Sequence, residues 1–337
     1  MKAWQLSKQA PIEQHPLDLV DLPIPTPKSN EIRLKVLACG VCRTDIHIAE
    51  GDLPLHTSPI ILGHEVVGVV DTVGKQVTRF TPGDIAGMYW LHHACGRCKY
   101  CLTQRENYCP HITCTGWDAP GGFAEYVTVP AAYAVPLNGI KKSAPDIAPL
   151  MCPGIAAYAA FMLTGAKKGD RLGLYGYGPT AYYALKIALH LGIAVYVSSR
   201  SPKNLQAARQ DGALWAANTA TEPMPCRLDA AILFPPAGGL VEPVLAQLNP
   251  GATLVMAPVS ASPIRIDNYS TNFWGRDIRT LYNLKHQDAE GFFALVNQLD
   301  LAIATHVFPF DELPNAMILA KQGRLSAPNA VLRVAKP

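Results

Sequence analysis

The chain has 337 residues, too many for one ordinary hydrophobic core, so two domains are expected. Hydrophobic residues make up 49% of it and charged residues only 16%, which excludes an intrinsically disordered chain. A net charge of +3, with no long like-charge block, argues against nucleic acid or an anionic membrane as the main partner.

The N-terminal stretch MKAWQLSKQAPIEQH lacks the continuous apolar core of a signal peptide. The most apolar run, YYALKIALHLGIAVYV, is broken by Lys186, His190 and Gly192, so it does not read as a membrane span. A soluble, cytoplasmic protein is expected. Its nine cysteines should then be mostly reduced, and clustered ones should serve as metal ligands or catalytic groups.

Up to about residue 148 the chain is rich in strand and turn signals. Strands are predicted in EIRLKVLACGV, in EVVGVVDTVG and in GGFAEYVTVP, and the prolines of PLDLVDLPIPTPKS demand an extended surface segment. From about 149 to 283 the pattern changes: strands alternate with helices through RLGLY, YYALKIALHLG, IAVYVSS, NLQAARQDGA, ALWAA, LDAAILF and TLVMAP. Such alternation predicts a doubly wound parallel sheet covered on both faces. Residues 284–337 supply further helix and strand and are expected to return to the first domain. The fold class is therefore α/β, with a β-rich domain and an inserted Rossmann-type domain.

The turn Gly176-Tyr177-Gly178-Pro179-Thr180-Ala181 fits G-x-G-x-x-[G/A] between a strand and a helix. Gly176 permits the tight turn, Gly178 lets backbone N–H groups approach a pyrophosphate, and Thr180 lies in the first helical turn where the dipole favours phosphate. After the next strand comes Ser198-Ser199-Arg200, with no carboxylate until Asp211. Hydroxyls and a guanidinium suit a 2′-phosphate, whereas an acid there would select the free ribose, so NADP(H) is favoured over NAD(H).

Cys95, Cys98 and Cys101 are two residues apart, and Cys109 follows after seven more. Four thiolates on one loop of about residues 92–112 can close a tetrahedron around zinc. An iron–sulfur ferredoxin run would place its fourth cysteine three residues on and would need a second cluster, so zinc is the better match. A shell filled by protein leaves no opening for substrate, which makes this ion structural. A second, open site needs other ligands; GVCRTDIH, LGHEVVG and MCPG offer Cys42, His64 with Glu65, and Cys152. Spacing alone does not assemble these distant residues.

Those stretches, with the four-cysteine lobe and the nucleotide turn in the same order along nearly the whole chain, resemble the zinc-dependent medium-chain alcohol dehydrogenases. The resemblance implies a GroES-like, barrel-type catalytic domain built from both chain ends and a Rossmann domain, with the active site between them. It implies two zinc ions per chain, the catalytic one on Cys42, His64 and Cys152, with Glu65 able to approach it. By the same resemblance Asp45 orients the ligand histidine, Thr44 begins a proton relay that His47 ends, and Arg43 reaches the pyrophosphate. Trp90 and Trp117 would wall the substrate pocket and favour small or unbranched alcohols. Relatives carry a further arginine near the C-terminus in a G-x-I-R-G pattern; here the stretch is GRLSAPNAVL, the position falls at Ser326, and Arg324 is displaced nearby. His56 and His111 read as ordinary surface or core residues, and Cys39, Cys114 and Cys226 as small buried ones.

The activity implied is hydride transfer between an alcohol and NADP(H), giving an aldehyde or ketone. The alternatives are an aldehyde, polyol or aryl-allylic alcohol reductase on the same scaffold and, from another class, a non-catalytic zinc-ribbon interaction protein. The resemblance also implies a homotetramer or homodimer, acting on a small-molecule substrate.

Overall fold

A computed structural model describes residues 1–335; the tail expected over 284–337 thus ends two residues beyond the described part. The chain divides into two compact units. The first comprises Met1–Cys152, Lys285–Phe293 and the chain from Ala302; the second comprises Pro153–Leu284 and Ala294–Leu301. The short return of Ala294–Leu301 to the second unit departs from the expectation of one uninterrupted tail. Its Val296, Leu299 and Leu301 are buried, and Asp300 pairs with Lys186 of that unit at 3.8 Å. Apolar side chains thus hold an eight-residue piece that a boundary drawn on texture alone would pass over.

The first unit is built on a seven-stranded sheet whose centre is the long strand Glu31–Val41. That strand pairs antiparallel with Glu65–Val73, Tyr126–Pro130 and the C-terminal strand Asn329–Arg333, so sequence-distant segments share one core. Its burial is almost continuous from Val36 onward, where the apolar residues VLACGV occupy both faces, and Arg33 and Lys35 mark the more open face of its first half. Leu34, Val36, Val66, Phe123 and Leu332 lie in the resulting cluster at 0% exposure, which leaves no slack in the strands that carry the site.

The second unit holds a six-stranded sheet, every neighbouring pair parallel. Numbered along this sheet by chain position, the strand order is 3-2-1-4-5-6, that of a dinucleotide-binding Rossmann sheet. Strand Arg171–Tyr175 leads through the glycine turn into helix Pro179–His190, and Ala194–Ser198 into helix Pro202–Asp211. Gly212 ends the latter helix at φ 113°, a left-handed cap that suits glycine. Among the described residues no single helix is long and apolar enough to cross a membrane.

Candidate active site

The candidate site grows from the end of one strand. Glu31–Val41 runs into Cys42, which precedes helix Arg43–Glu50, and the Asp45 carboxylate accepts the Cys42 backbone N–H at 2.8 Å. The other Asp45 oxygen accepts the Gly63 N–H at 3.2 Å and stands 3.1 Å from His64 Nδ1. One sealed carboxylate therefore fixes the strand end, the loop before strand Glu65–Val73 and the imidazole. With Nδ1 taken, Nε2 is the nitrogen left to bind a metal.

The donor atoms of Cys42, His64, Glu65 and Cys152 lie within 4.8 Å of one another. Zinc–sulfur bonds of about 2.3 Å at tetrahedral angles place two sulfurs roughly 3.8 Å apart. Cys42 Sγ and Cys152 Sγ are 3.9 Å apart, so the pair fits the ion without rearrangement. The charges also fit. The shared hydrogen bond with Cys152 and the nearby His64 hold the Cys42 thiol well below its ordinary range, against the effect of burial. The same bond, together with burial, pushes Cys152 up, and burial followed by the Cys42 charge raises Glu65. Burial opposes a charged His64, but Asp45 and Cys42 overcome it and raise the imidazole. A crowd of buried anionic donors that can ionise only in part is what a dication stabilises.

Gly40 makes room for this arrangement. A Cβ there would stand 1.8 Å from Glu65 Oε2, because the two residues face each other across the strand pair. The sequence reading passed over Gly40; the small residue two before Cys42 carries no signal until its partner strand is known.

Cys95, Cys98, Cys101 and Cys109 form the other donor group, again within 4.8 Å. Sulfur separations of 3.9 Å for Cys95–Cys101 and 3.5 Å for Cys98–Cys101 suit a closed tetrahedron. The N–H groups of Cys95 and His111 point at the Cys109 sulfur at 3.5 and 3.4 Å. A hydrogen bond from the Arg97 backbone, followed by others, lowers Cys95 to about 6, while burial pushes Cys101 up to about 12. Backbone donors aimed at sulfur favour thiolate, so this group also fits a dication.

The remaining expected residues fall in three places. Thr44 Oγ1 lies 3.7 Å from Cys42 Sγ, beside the donor group. Trp90 meets His64 edge-on with ring centres 5.1 Å apart, and Trp117 stacks on Trp90 at 5.8 Å. On the same helix as Thr44, His47 Nδ1 contacts Asp52 Oδ2 at 2.6 Å, and Arg43 donates to the Lys321 carbonyl at 3.2 Å. Asp52 was missed in the sequence, although an acid five residues after a candidate relay histidine is within reach once the helix ends at Gly51. Ser326 donates its N–H to His306 Nδ1 at 3.4 Å, and Arg324 donates to Gln322 at 3.3 Å.

In the second unit Gly176 has φ 87° and donates its N–H to the Ser198 carbonyl at 2.8 Å. The turn and the end of the second strand are thus tied directly. Gly178 precedes the helix with open space where a side chain would be, and Thr180 follows in the first turn. The Ser198 hydroxyl is engaged by Thr219 at 2.8 Å, and the Ser199 hydroxyl accepts the Ser201 N–H at 3.3 Å. Arg200 is exposed. Tyr177 donates to Asp211 at 2.7 Å, anchoring the turn to the far end of the next helix.

A β-rich unit with two four-residue groups of metal-type donors, and a second unit with Rossmann strand order, point to an oxidoreductase class. Residues 28–139 match the family described as alcohol dehydrogenase GroES-like domain. The chain is 41% identical to the probable alcohol dehydrogenase AdhA of Mycobacterium tuberculosis, over 98% of this chain and 97% of that protein. A solved cinnamyl alcohol dehydrogenase of Sorghum bicolor superposes with a TM-score of 0.86 at 26% identity, covering 98% and 97% of the two chains. A cobalt- and zinc-bound alcohol dehydrogenase of Pyrobaculum aerophilum gives 0.86 at 22% identity over 99% of each chain, a likeness of fold alone. The chain belongs to the zinc-dependent medium-chain alcohol dehydrogenase family and is an alcohol dehydrogenase. The non-catalytic zinc-ribbon alternative falls away.

Proposed function

We propose that the enzyme interconverts primary or secondary alcohols with aldehydes or ketones, using NADP(H) and two zinc ions per chain. The observation that carries this reading is the convergence of half-buried Cys42 and Cys152 with buried His64 and Glu65 on one point. Three of them, Cys42, His64 and Cys152, would hold the catalytic ion and leave one position open; Glu65 would be the exchangeable fourth donor. Zinc supplies a Lewis acid that makes an alcohol hydroxyl acidic near neutral pH, and the nicotinamide supplies the hydride acceptor. The four clustered cysteines would hold the other ion and stabilise their loop.

The chain's own groups then handle the proton and the cofactor. Asp45 fixes the His64 ring, so the donor set keeps its geometry through turnover. Thr44 would take the alcohol proton at Oγ1 while giving up its own hydroxyl proton towards His47. His47 holds its Nδ1 against Asp52, leaving Nε2 to pass that proton to water. The Gly176–Thr180 turn and helix Pro179–His190 take the pyrophosphate. With the Ser198 hydroxyl spent on Thr219, it supports the strand end, and Ser199 and Arg200 receive the 2′-phosphate.

The neighbouring rings of Trp90 and Trp117, with centres 5.8 Å apart, support a second reading of the substrate, an aryl-allylic alcohol packing against this aromatic wall. The test is a rate comparison of NAD⁺ and NADP⁺ across straight-chain, branched and aryl-allylic alcohols, repeated with Arg200→Asp. NADP⁺ should be preferred, and the substitution should reverse that preference; an unchanged preference removes Arg200 from the phosphate site. Cys42→Ala should abolish turnover while the protein stays folded. We also propose a homodimer or homotetramer, which light scattering of the purified protein checks.

A further inference from the structure

One histidine outside the proposed machinery is built into its aromatic wall. His56 lies on the loop between helix Arg43–Glu50 and strand Ile60–Ile61, and 45% of its side chain is exposed. Its ring stacks on Trp117 with centres 3.9 Å apart and planes 22° from parallel. Asp118 holds it there, Oδ1 standing 2.7 Å from His56 Nδ1, while Asp118 Oδ2 accepts the Cys114 N–H at 2.7 Å. Trp117 in turn donates its indole N–H to the Pro54 carbonyl at 2.8 Å. Two loops are therefore clasped by one stacked pair and two hydrogen bonds, and the Cys114 bond braces Asp118 within its own loop. The stack continues through Trp90, 5.8 Å on and 27° from parallel, to the edge contact with His64, which is 1% exposed.

A lone indole anchored by one hydrogen bond can pivot about its side-chain torsions; a planar ring held against it by a carboxylate removes that freedom. We propose that His56 is a specificity-determining positioning residue: by clamping Trp117 it fixes the aromatic wall beside the catalytic donor group and so sets which alcohols fit. The proposal rests on the reading that Trp90 and Trp117 line the substrate pocket. A wall that cannot tilt favours slender alcohols and excludes branched ones, and discrimination of this kind acts through the fit of substrate carbon. His56 touches no reacting atom; it acts through Trp117.

The test uses the zinc-loaded enzyme with a straight-chain primary alcohol and a branched secondary alcohol. His56→Ala should raise KM for the straight-chain substrate and lower it for the branched one, leaving each kcat within about twofold. The branched-to-straight ratio of kcat/KM should rise by roughly tenfold, within the range that small changes in pocket fit produce. His56→Phe retains a planar ring and should restore most of the original ratio, a rescue that general loosening of the fold would not give. Asp118→Asn should lie between the two. Acrylamide quenching of tryptophan emission should increase in His56→Ala and return towards the starting level in His56→Phe. An unchanged ratio in His56→Ala, or equal shifts in His56→Ala and His56→Phe, overturns the clamp. Absence of turnover by the unaltered enzyme with every alcohol overturns the functional reading instead, and the two failures are told apart by that control.

Discussion

Asp45 Oδ1 stands 3.1 Å from His64 Nδ1, with both side chains closed off from solvent at 0% and 1% exposure. The buried carboxylate needs its lone pairs filled, and the N–H groups of Cys42 and Gly63 help the imidazole to fill them. Asp45→Asn keeps the shape and removes the charge. It should weaken zinc binding at the Cys42 site by about 10–100-fold, as loss of a ligand-orienting partner does. Chelator competition measures this, and turnover should fall in step while the zinc at the clustered cysteines is retained. Equal zinc affinity in the variant would mean the imidazole is oriented by packing alone.

Gly40 gives a sharper geometric test. A single methyl placed there meets Glu65 Oε2 at 1.8 Å and Glu65 Cβ at 2.9 Å, and Glu65 lies in a strand with no room to retreat. Gly40→Ala should therefore displace the Glu65 carboxylate or spread the strand pair, at a cost of about 1–3 kcal/mol for overpacking. Turnover should drop and the thermal midpoint should fall. Restoring activity with the double change Gly40→Ala and Glu65→Asp, which shortens the colliding side chain, would confirm the collision as the cause.

The four clustered cysteines should behave differently. Cys98→Ser removes a donor 3.5 Å from Cys101 and leaves a lobe whose stability depends on its ion. Metal analysis should fall from about two zincs per chain to about one. The thermal midpoint should drop, and below it the remaining enzyme should keep most of its kcat. Loss of both zincs, or loss of kcat in the folded protein, would tie this lobe to the chemistry and not to the fold.

Much of this was legible before any coordinates. The alternation of Ile32, Leu34 and Val36 with charged residues, followed by apolar LACGV, reads as a strand, and the alternation of strands and helices after residue 149 reads as a parallel sheet, because local pattern and tertiary burial agree there. The clustered cysteines announce a metal by their spacing alone. Cys42, His64 and Cys152 do not: their meeting depends on strand pairing between Gly40 and Glu65, a contact across 25 positions that periodicity cannot encode. The same limit hid the His56–Trp117 stack, since two loops that touch carry no shared period. It also hid Ala294–Leu301, whose attachment follows from burial of three side chains and not from composition.

The Rossmann unit contains an acid-sensitive staple that can be tested apart from catalysis. Glu242 Oε1 accepts from the Asn268 backbone at 2.8 Å, from the Asn268 amide at 3.1 Å and from the Asn272 amide at 2.9 Å, and Oε2 accepts from the Asp267 backbone at 3.0 Å. These donors, the Asp267 N–H foremost, hold the carboxyl down from 4.5 to about 2. Because the folded value is the lower one, the charge favours the ordered segment above the ordinary value. That contribution fades as pH falls from about 4.5 towards 2. Hydrogen-exchange protection at Asp267 and Asn268, corrected for intrinsic exchange, should hold above about pH 5 and decline between about pH 4.5 and pH 2. Glu242→Gln cannot ionise, so it should begin with lower protection and lose much less over the same interval. Parallel declines in the two proteins would show that some other carboxylate governs the acid response, and Glu242 would then be an ordinary hydrogen-bond acceptor whose charge is immaterial.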